Sequence, residues 1–493
     1  MLRSVLVGLC PARSAPAKRD IFDADLDRAR RKPGCALCRL VRERDESAMR
    51  HMLWEDCTDP HIGAKISQHW GFCPYHIWSL IALEHEWMGD TLGVGVVYEA
   101  LLRTLRTHLH EQEQKNRSLA QALPIGPQVG SEECLFCRHA RQGESWFLTR
   151  LTLRFRQAAR QDDTELWAAL DTTLCLMHSQ RVLALCAKER LPWYRRYVAR
   201  QHIPSMQQEQ VRRLAELLSQ NLLRQMQALD DHPQEADGVL PQIEQWLTLL
   251  AGDHKALPVL VAHDAERNGP MLPVPAAGAV PQLHHDALPT CPVCTTIQTT
   301  WLARCRAPFA SEESFPPVGA CCANHHWLLA MGLFLPEPCD RQVIARYSAW
   351  LREQGKRQAH ALAHAQEVQS DQPARCSACA NIAETSAAAI RAFLRDMQET
   401  AGDARFPQGM LCLWHWKQAH DACRQWPDAP ALRRRLFDRQ QQALGVLGRA
   451  LDAYLARFNA SKRQRGEVPD VAGSDGACPR VLAFFAGEAA DLR

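Results

Sequence analysis

The chain has 493 residues, 46% of them hydrophobic, with 58 Lys and Arg against 55 Asp and Glu for a formal charge of +3. That length accommodates two to four domains with real cores, which excludes collagen-like and wholly disordered classes, and the balanced charge gives little reason to expect a polyanionic partner. Twenty cysteines beside only six tyrosines is the unusual feature. At about 4% of the chain they fall short of a secreted disulfide scaffold.

Residues 1–20 read as an N-terminal arm: Arg3, a short apolar run from Val5 to Leu9, then Cys10 and a Pro/Ala/Arg/Lys stretch. The run is shorter than a secretory core of roughly 7 to 15 apolar residues, and Leu9 stands where a lipoprotein signal needs a small residue. No uninterrupted apolar stretch is long enough to span a bilayer. A cytoplasmic protein is expected, and its reduced cysteines favour metal ligation over disulfides.

Residues 21–252 form the first expected half. Cys35/Cys38 opens it, and Cys73/His76 follows, with Ile77, Leu80, Ile81, Leu83 and Trp87 resuming at helical steps. Such a pair opens a helix, whose positive end favours a thiolate. Val96 to Glu113 reads as a helix with Leu101, Leu102, Leu105 and Leu109 inward. Cys134/Cys137 and Cys175/His178 come next, then a helix from Val211 to Leu229 through Leu214, Leu217, Leu218, Leu222 and Met226. The half closes with Pro241, Ile243 and Trp246 ahead of Gly252. Residues 253–290, with Pro258, Pro270, Pro273, Pro275, Pro281 and Pro289, are a linker. The second half, 291–493, repeats the order with Cys291/Cys294, Cys322/His325, Cys376/Cys379 and Cys412/His415. Its longest stripe runs from Leu432 to Phe458, and Pro479, Val481 and Phe484 mirror the end of the first half. Alternating strand patterns are scarce, so the fold class is all-α, with duplicated helical domains.

Cys-x-x-Cys and Cys-x-x-His each occur four times and alternate strictly, the second motif following 35, 38, 28 and 33 residues after the first. Ligands at i and i+3 supply half a tetrahedron, and a second pair closes it. Taken in chain order, each unit supplies Cys₃His, giving two structural zinc sites per half and about four Zn²⁺ per chain. An iron–sulfur cluster is the runner-up, although cluster ligands are usually four cysteines, and buried free thiols are the structural alternative. The other cysteines, Cys10, Cys57, Cys186, Cys305, Cys321, Cys339, Cys423 and Cys478, share no spacing and read as small core residues. Cys321 stands beside Cys322 and competes with it as ligand.

The segments Gly71-Phe72-Cys73-Pro74-Tyr75-His76, Gly93-Val94-Gly95-Val96 and Tyr454-Leu455-Ala456-Arg457-Phe458, followed by Cys478-Pro479-Arg480-Val481, resemble an uncharacterised bacterial family. Its members are about half this length and carry two Cys-x-x-Cys…Gly-Phe-Cys-x-x-His units. Each half of the chain is similar to one member, which implies tandem copies and supplies no catalytic residue. The chain departs from the pattern where Leu174 and Leu411 replace the Phe before the Cys, and where Ala320 precedes the Cys321-Cys322 pair.

Weaker constellations read as solvated surface: Glu84-His85-Glu86, His108/His110/Glu111, His360/His364, which lack a metalloprotease Glu, and His284-His285-Asp286. Arg433 to Arg435 and Lys462 to Arg465 read likewise. Trp54, Trp70, Trp78, Trp87, Trp327, Trp414 and Trp416 sit near the ligand pairs and are expected to pack around them, with an exposed subset available as a partner groove. No P-loop, dinucleotide fingerprint or nucleophile elbow occurs. A closed four-ligand site leaves no position for substrate. The expected function is therefore a zinc-binding scaffold or adaptor with a protein partner and no nucleic-acid or membrane role. A zinc- or redox-responsive regulator, or an enzyme with its site between the halves, is the alternative.

Overall fold

The computed structural model describes residues 20–114 except 33, residues 123 and 131, and residues 133–161, 174–188, 205–231, 246–250, 291–306, 341–364, 377–399, 410–459 and 477–486. Every regular element among them is helical. In chain order these are α1 (Ile21–Arg30), α2 (Ala36–His51), α3 (Pro60–Gln68), α4 (Pro74–Met88), α5 (Leu92–Gln114), α6 (Leu135–Gln161), α7 (Leu176–Ala187) and α8 (Gln208–Asp231). Beyond the proline-rich stretch come α9 (Pro292–Arg306), α10 (Arg341–Ala363), α11 (Ser377–Glu399), α12 (Leu413–Ala422), α13 (Ala429–Ala456) and α14 (Ala477–Ala486). A wider π-turn, Met52–Asp56, continues α2. None of the described helices is long and apolar enough to cross a membrane.

The helical stripes read from the sequence face inward. Leu101, Leu102, Leu105 and Leu109 of α5 are buried, as are Leu214, Leu218, Leu222 and Met226 of α8 and Leu436, Phe437, Leu444, Leu447 and Leu451 of α13. Helix ends follow local chemistry. Asp20 and Asp23 form a capping box on α1, and α4 stops at Gly89, in the left-handed region at φ +76°.

Two hydrophobic cores result, and both draw on helices from either side of residues 253–290. One joins α4 and α5 to α11, α12, α13 and α14 through residues such as Tyr98, Leu105, Leu436 and Phe484. The other joins α1, α2, α6, α7 and α8 to α10 through Phe22, Phe155, Trp246 and Tyr347. The most extensive packing across residues 253–290 is of α8 on α10 and of α5 on α13, with α14 also against α4 and α5. Where α8 and α10 cross, Gly355 lets α10 approach so closely that a Cβ there would stand 3.0 Å from Met226 Cε and Trp246 Cζ3. The linker residues, the 1–19 arm, Pro241, Ile243 and Gly252 lie outside the described residues.

Candidate metal centres

Six of the eight ligand pairs fall among residues whose side chains are described, and each straddles the first turn of a helix. Cys35, Cys73, Cys175 and Cys412 are N-cap residues of α2, α4, α7 and α12, with extended backbone at φ between −71° and −63°. The second ligand lies three residues on, at N3. The carbonyl of each leading Cys accepts the first helical hydrogen bond, at 3.2 Å from Arg39, 3.0 Å from Ile77, 2.9 Å from Ser179 and 2.8 Å from Trp416. Cys134 and Cys291 do the same ahead of α6 and α9, for Arg138 and Thr295, each at 3.0 Å. Every cluster therefore sits between the positive ends of two helices, where thiolate charge is favoured.

Three groups of four buried ligands converge: Cys35, Cys38, Cys175 and His178; Cys73, His76, Cys134 and Cys137; and Cys291, Cys294, Cys412 and His415. The grouping differs from the order along the chain. In the first half the outermost pairs, Cys35/Cys38 and Cys175/His178, close one site and the inner pairs close a second one nested between them. The physical reason is the antiparallel packing of α2 and α6, which separates the starts of these helices and brings α7 to α2 and α4 to α6. Cys322, His325, Cys376 and the side chain of Cys379 lie outside the described residues.

The clusters have the dimensions of a single tetrahedral ion. Sγ···Sγ distances of 3.9, 3.5 and 3.8 Å occur between Cys38 and Cys175, Cys73 and Cys137, and Cys294 and Cys412. The imidazole Nδ1 lies 3.3–3.4 Å from the sulfurs around His178, 3.2–3.5 Å around His76 and 3.2–3.5 Å around His415. A tetrahedron with zinc–sulfur bonds of about 2.3 Å and a zinc–nitrogen bond of about 2.05 Å has edges of about 3.8 and 3.6 Å. A multi-iron cluster would sit between its thiolates and hold them farther apart.

The electrostatics ask for a cation. Burial opposes ionisation of all the cluster thiols. In each site one of them, Cys35, Cys134 or Cys291, is nonetheless held well below the usual thiol range by hydrogen bonds from its neighbours and by the imidazole. Burial together with that first thiolate pushes Cys38 and Cys137 well above it, and Cys294 is raised by its two sulfur neighbours and by burial. Without a metal, three thiolates do not coexist there.

Two histidines are oriented from behind. His76 Nε2 lies 2.9 Å from Asp45 Oδ2, and His178 Nε2 lies 3.1 Å from Glu144 Oε1, which also accepts from Arg181 Nη1 at 2.6 Å. Burial opposes the charged imidazole in both, yet Asp45 with the Cys73 and Cys134 sulfurs raises the His76 pKa well above the ordinary one, and the Cys175 and Cys35 sulfurs raise that of His178. The hydrogen bond at Nε2 leaves Nδ1 facing the sulfurs, as a ligand requires. Asp45 and Glu144 escaped the sequence reading, yet each lies seven residues past a Cys-x-x-Cys, after Cys38 and Cys137. Seven residues are two helical turns, about 10.5 Å. Each of α2 and α6 thus starts at one cluster and delivers its carboxylate to the other.

The departures from Gly-Phe-Cys keep their packing: Leu174 and Leu411 are buried as Phe72 is. Phe72 N donates to Tyr98 Oη at 3.2 Å, whereas Leu411 N donates to Gln440 Oε1, also at 3.2 Å. Of the leftover cysteines, Cys186, Cys423 and Cys478 are core residues, and Cys57 is half-buried. Cys10, Cys321, Cys339 and the side chain of Cys305 lie outside the described residues, as do Ala320, Trp327, Lys462, Arg465 and His284-His285-Asp286. No other group of metal-ligating side chains occurs among the described residues, so His85, His108, His110, His360 and His364 join no cluster. Glu84 is buried and receives the backbone N–H groups of Gly93 and Val94 at the start of α5.

Residues 20–221 match the family model described as a family of unknown function (DUF6062), a span that holds all eight ligands of the first two clusters. No curated protein and no solved structure matches the chain.

Proposed function

We propose that the chain is a cytoplasmic helical scaffold stapled by structural zinc, with a task of binding a protein partner rather than catalysis. The observation that carries this is the closed ligand set. All four donors of each cluster are buried side chains at single-ion spacing, which leaves no coordination position for water or substrate. Soft thiolates with one imidazole, in the tetrahedral dimensions found, suit Zn²⁺ best among common metals. We also propose that the chain is a duplication. The nested order of the first half, carried over by sequence, pairs Cys322/His325 with Cys376/Cys379 and makes four zinc ions per chain.

A partner surface is favoured by Trp54 and Trp87, which are 66% and 48% exposed and pack against one another with ring centroids 5.7 Å apart. Met88 beside them is also exposed. Large apolar side chains grouped in this way on a soluble surface mark interaction sites more often than they occur by chance.

X-ray absorption at the zinc edge tests the reading. Three sulfurs at about 2.3 Å and one nitrogen at about 2.0–2.1 Å per zinc, with no oxygen shell, is the expected result. An oxygen ligand at a substantial fraction of sites would show an open, catalytic-type coordination and contradict it.

A further inference from the structure

We infer that, of the three described clusters, the one of Cys291, Cys294, Cys412 and His415 holds the most exchangeable ion, yielding it before the two clusters of the first half. The inference rests on reading the clusters as zinc sites. It comes from comparing what stands behind the three histidines.

Behind His178 the partner is Glu144, seven residues past Cys137, held in turn by Arg181, three residues past the histidine. The same two registers in the second half are occupied by Ser386, seven residues past Cys379, and Gln418, three residues past His415. They meet as well: Ser386 Oγ donates to Gln418 Oε1 at 3.0 Å. The carboxylate and guanidinium of one site are thus replaced, position for position, by a neutral pair bonded to itself. Among the described residues, the hydrogen-bonding neighbours of the His415 ring are the three cluster sulfurs, all at Nδ1.

A carboxylate behind a ligating imidazole fixes the ring, selects the tautomer and raises the basicity of the metal-bound nitrogen. Removing such a partner typically weakens metal binding by about 10- to 100-fold. Asp45 and Glu144 act as positioning residues for the first two sites, and no carboxylate among the described residues takes that place at the third. The three sites share ligand type and helix-start geometry, and the third is also the more exposed, with Cys294 at 8% and His415 at 6% against 0–2% for the ligands of the other two; both differences place it first in the order. Loss of the third ion would free the starts of α9 and α12, which belong to the core shared with α4 and α5. A change in available zinc would therefore register first in that core.

Chelator challenge of the full-length zinc-loaded chain, with N-ethylmaleimide present and the modified peptides mapped by mass spectrometry, resolves the sites individually. The expected result is that Cys291, Cys294 and Cys412 are modified at a chelator concentration about tenfold or more below that needed for Cys35, Cys38 and Cys175, or for Cys73, Cys134 and Cys137. Glu144→Gln should bring the Cys35 site down to the level of the third, leaving the Cys73 site where it was. Ser386→Glu with Gln418→Arg should raise the third by about tenfold. Simultaneous modification of all three clusters, or the third modified last, overturns the ranking and leaves the zinc reading standing. So does a Glu144→Gln protein with an unchanged order. A chain that takes up no zinc overturns the zinc reading itself.

Discussion

At the residue scale the ligands were legible because coordination needs particular atoms at i and i+3, and that spacing survives as text. Their partnership was not legible, since which pair meets which depends on how α2 and α6 pack, and chain order gave the wrong pairing. Asp45 and Glu144 were hidden for a related reason: a carboxylate seven residues on means something only once the helix is known to run antiparallel to its neighbour. The ligand assignment predicts a sharp contrast among cysteines. Cys73→Ser should lose one metal and a large part of the folding energy, since apparent zinc-binding free energy is on the order of 10 kcal/mol. Cys186→Ser and Cys423→Ser, buried outside every cluster, should keep all metals and cost about 1–3 kcal/mol. Thermal melts with metal counts on the three variants check this, and equal losses would contradict it. Glu84 gives a pH prediction. Burial raises its pKa to about 7, above the roughly 4.3 of an unfolded glutamate. The folded chain keeps the proton where the unfolded chain has lost it, so this contribution is full below about pH 4.3 and is lost as the pH rises through about 7. Measured from pH 5.5 to 8, the stability of the wild type relative to Glu84→Gln should fall; a constant difference would refute the assignment.

At the element scale the sequence was most informative. The stripes on α5, α8 and α13 declare themselves by apolar steps of three and four, and those helices form within a few residues of the expected bounds because burial of one face dominates their stability. The π-turn at Met52–Asp56 left no such sign. The Gly-Phe-Cys motif had a visible pattern and an invisible cause. Gly71 adopts φ +108°, and a Cβ there would stand 3.0 Å from Tyr98 Oη, the atom that accepts from Phe72 N. Gly71→Ala is therefore expected to cost on the order of 1–3 kcal/mol from backbone strain, with looser metal binding at Cys73. Denaturant unfolding and a zinc count on this variant measure both effects, whereas Gly63→Ala, inside α3 with open space around its Cβ, should leave the zinc count unchanged and stabilise the chain by up to about 1 kcal/mol.

At the scale of the whole molecule, α5 packs on α13 and α8 on α10, so helices from before and after residues 253–290 share both cores. Such reciprocity carries no sequence signature, because an apolar stripe does not name the helix it meets. Its consequence is that a protease site inserted near Gly269, once cut, should leave two fragments that migrate as one particle and separate only in denaturant. Separation in native buffer would mean that the shared cores contribute little. The most direct test of the central claim, that these Cys₃His clusters are structural zinc sites, is elemental analysis of the purified full-length chain. Three zinc ions per chain are expected for the clusters described, rising to four with the pairs Cys322/His325 and Cys376/Cys379. Fewer than two ions per chain, or mainly iron with visible absorbance, would contradict it.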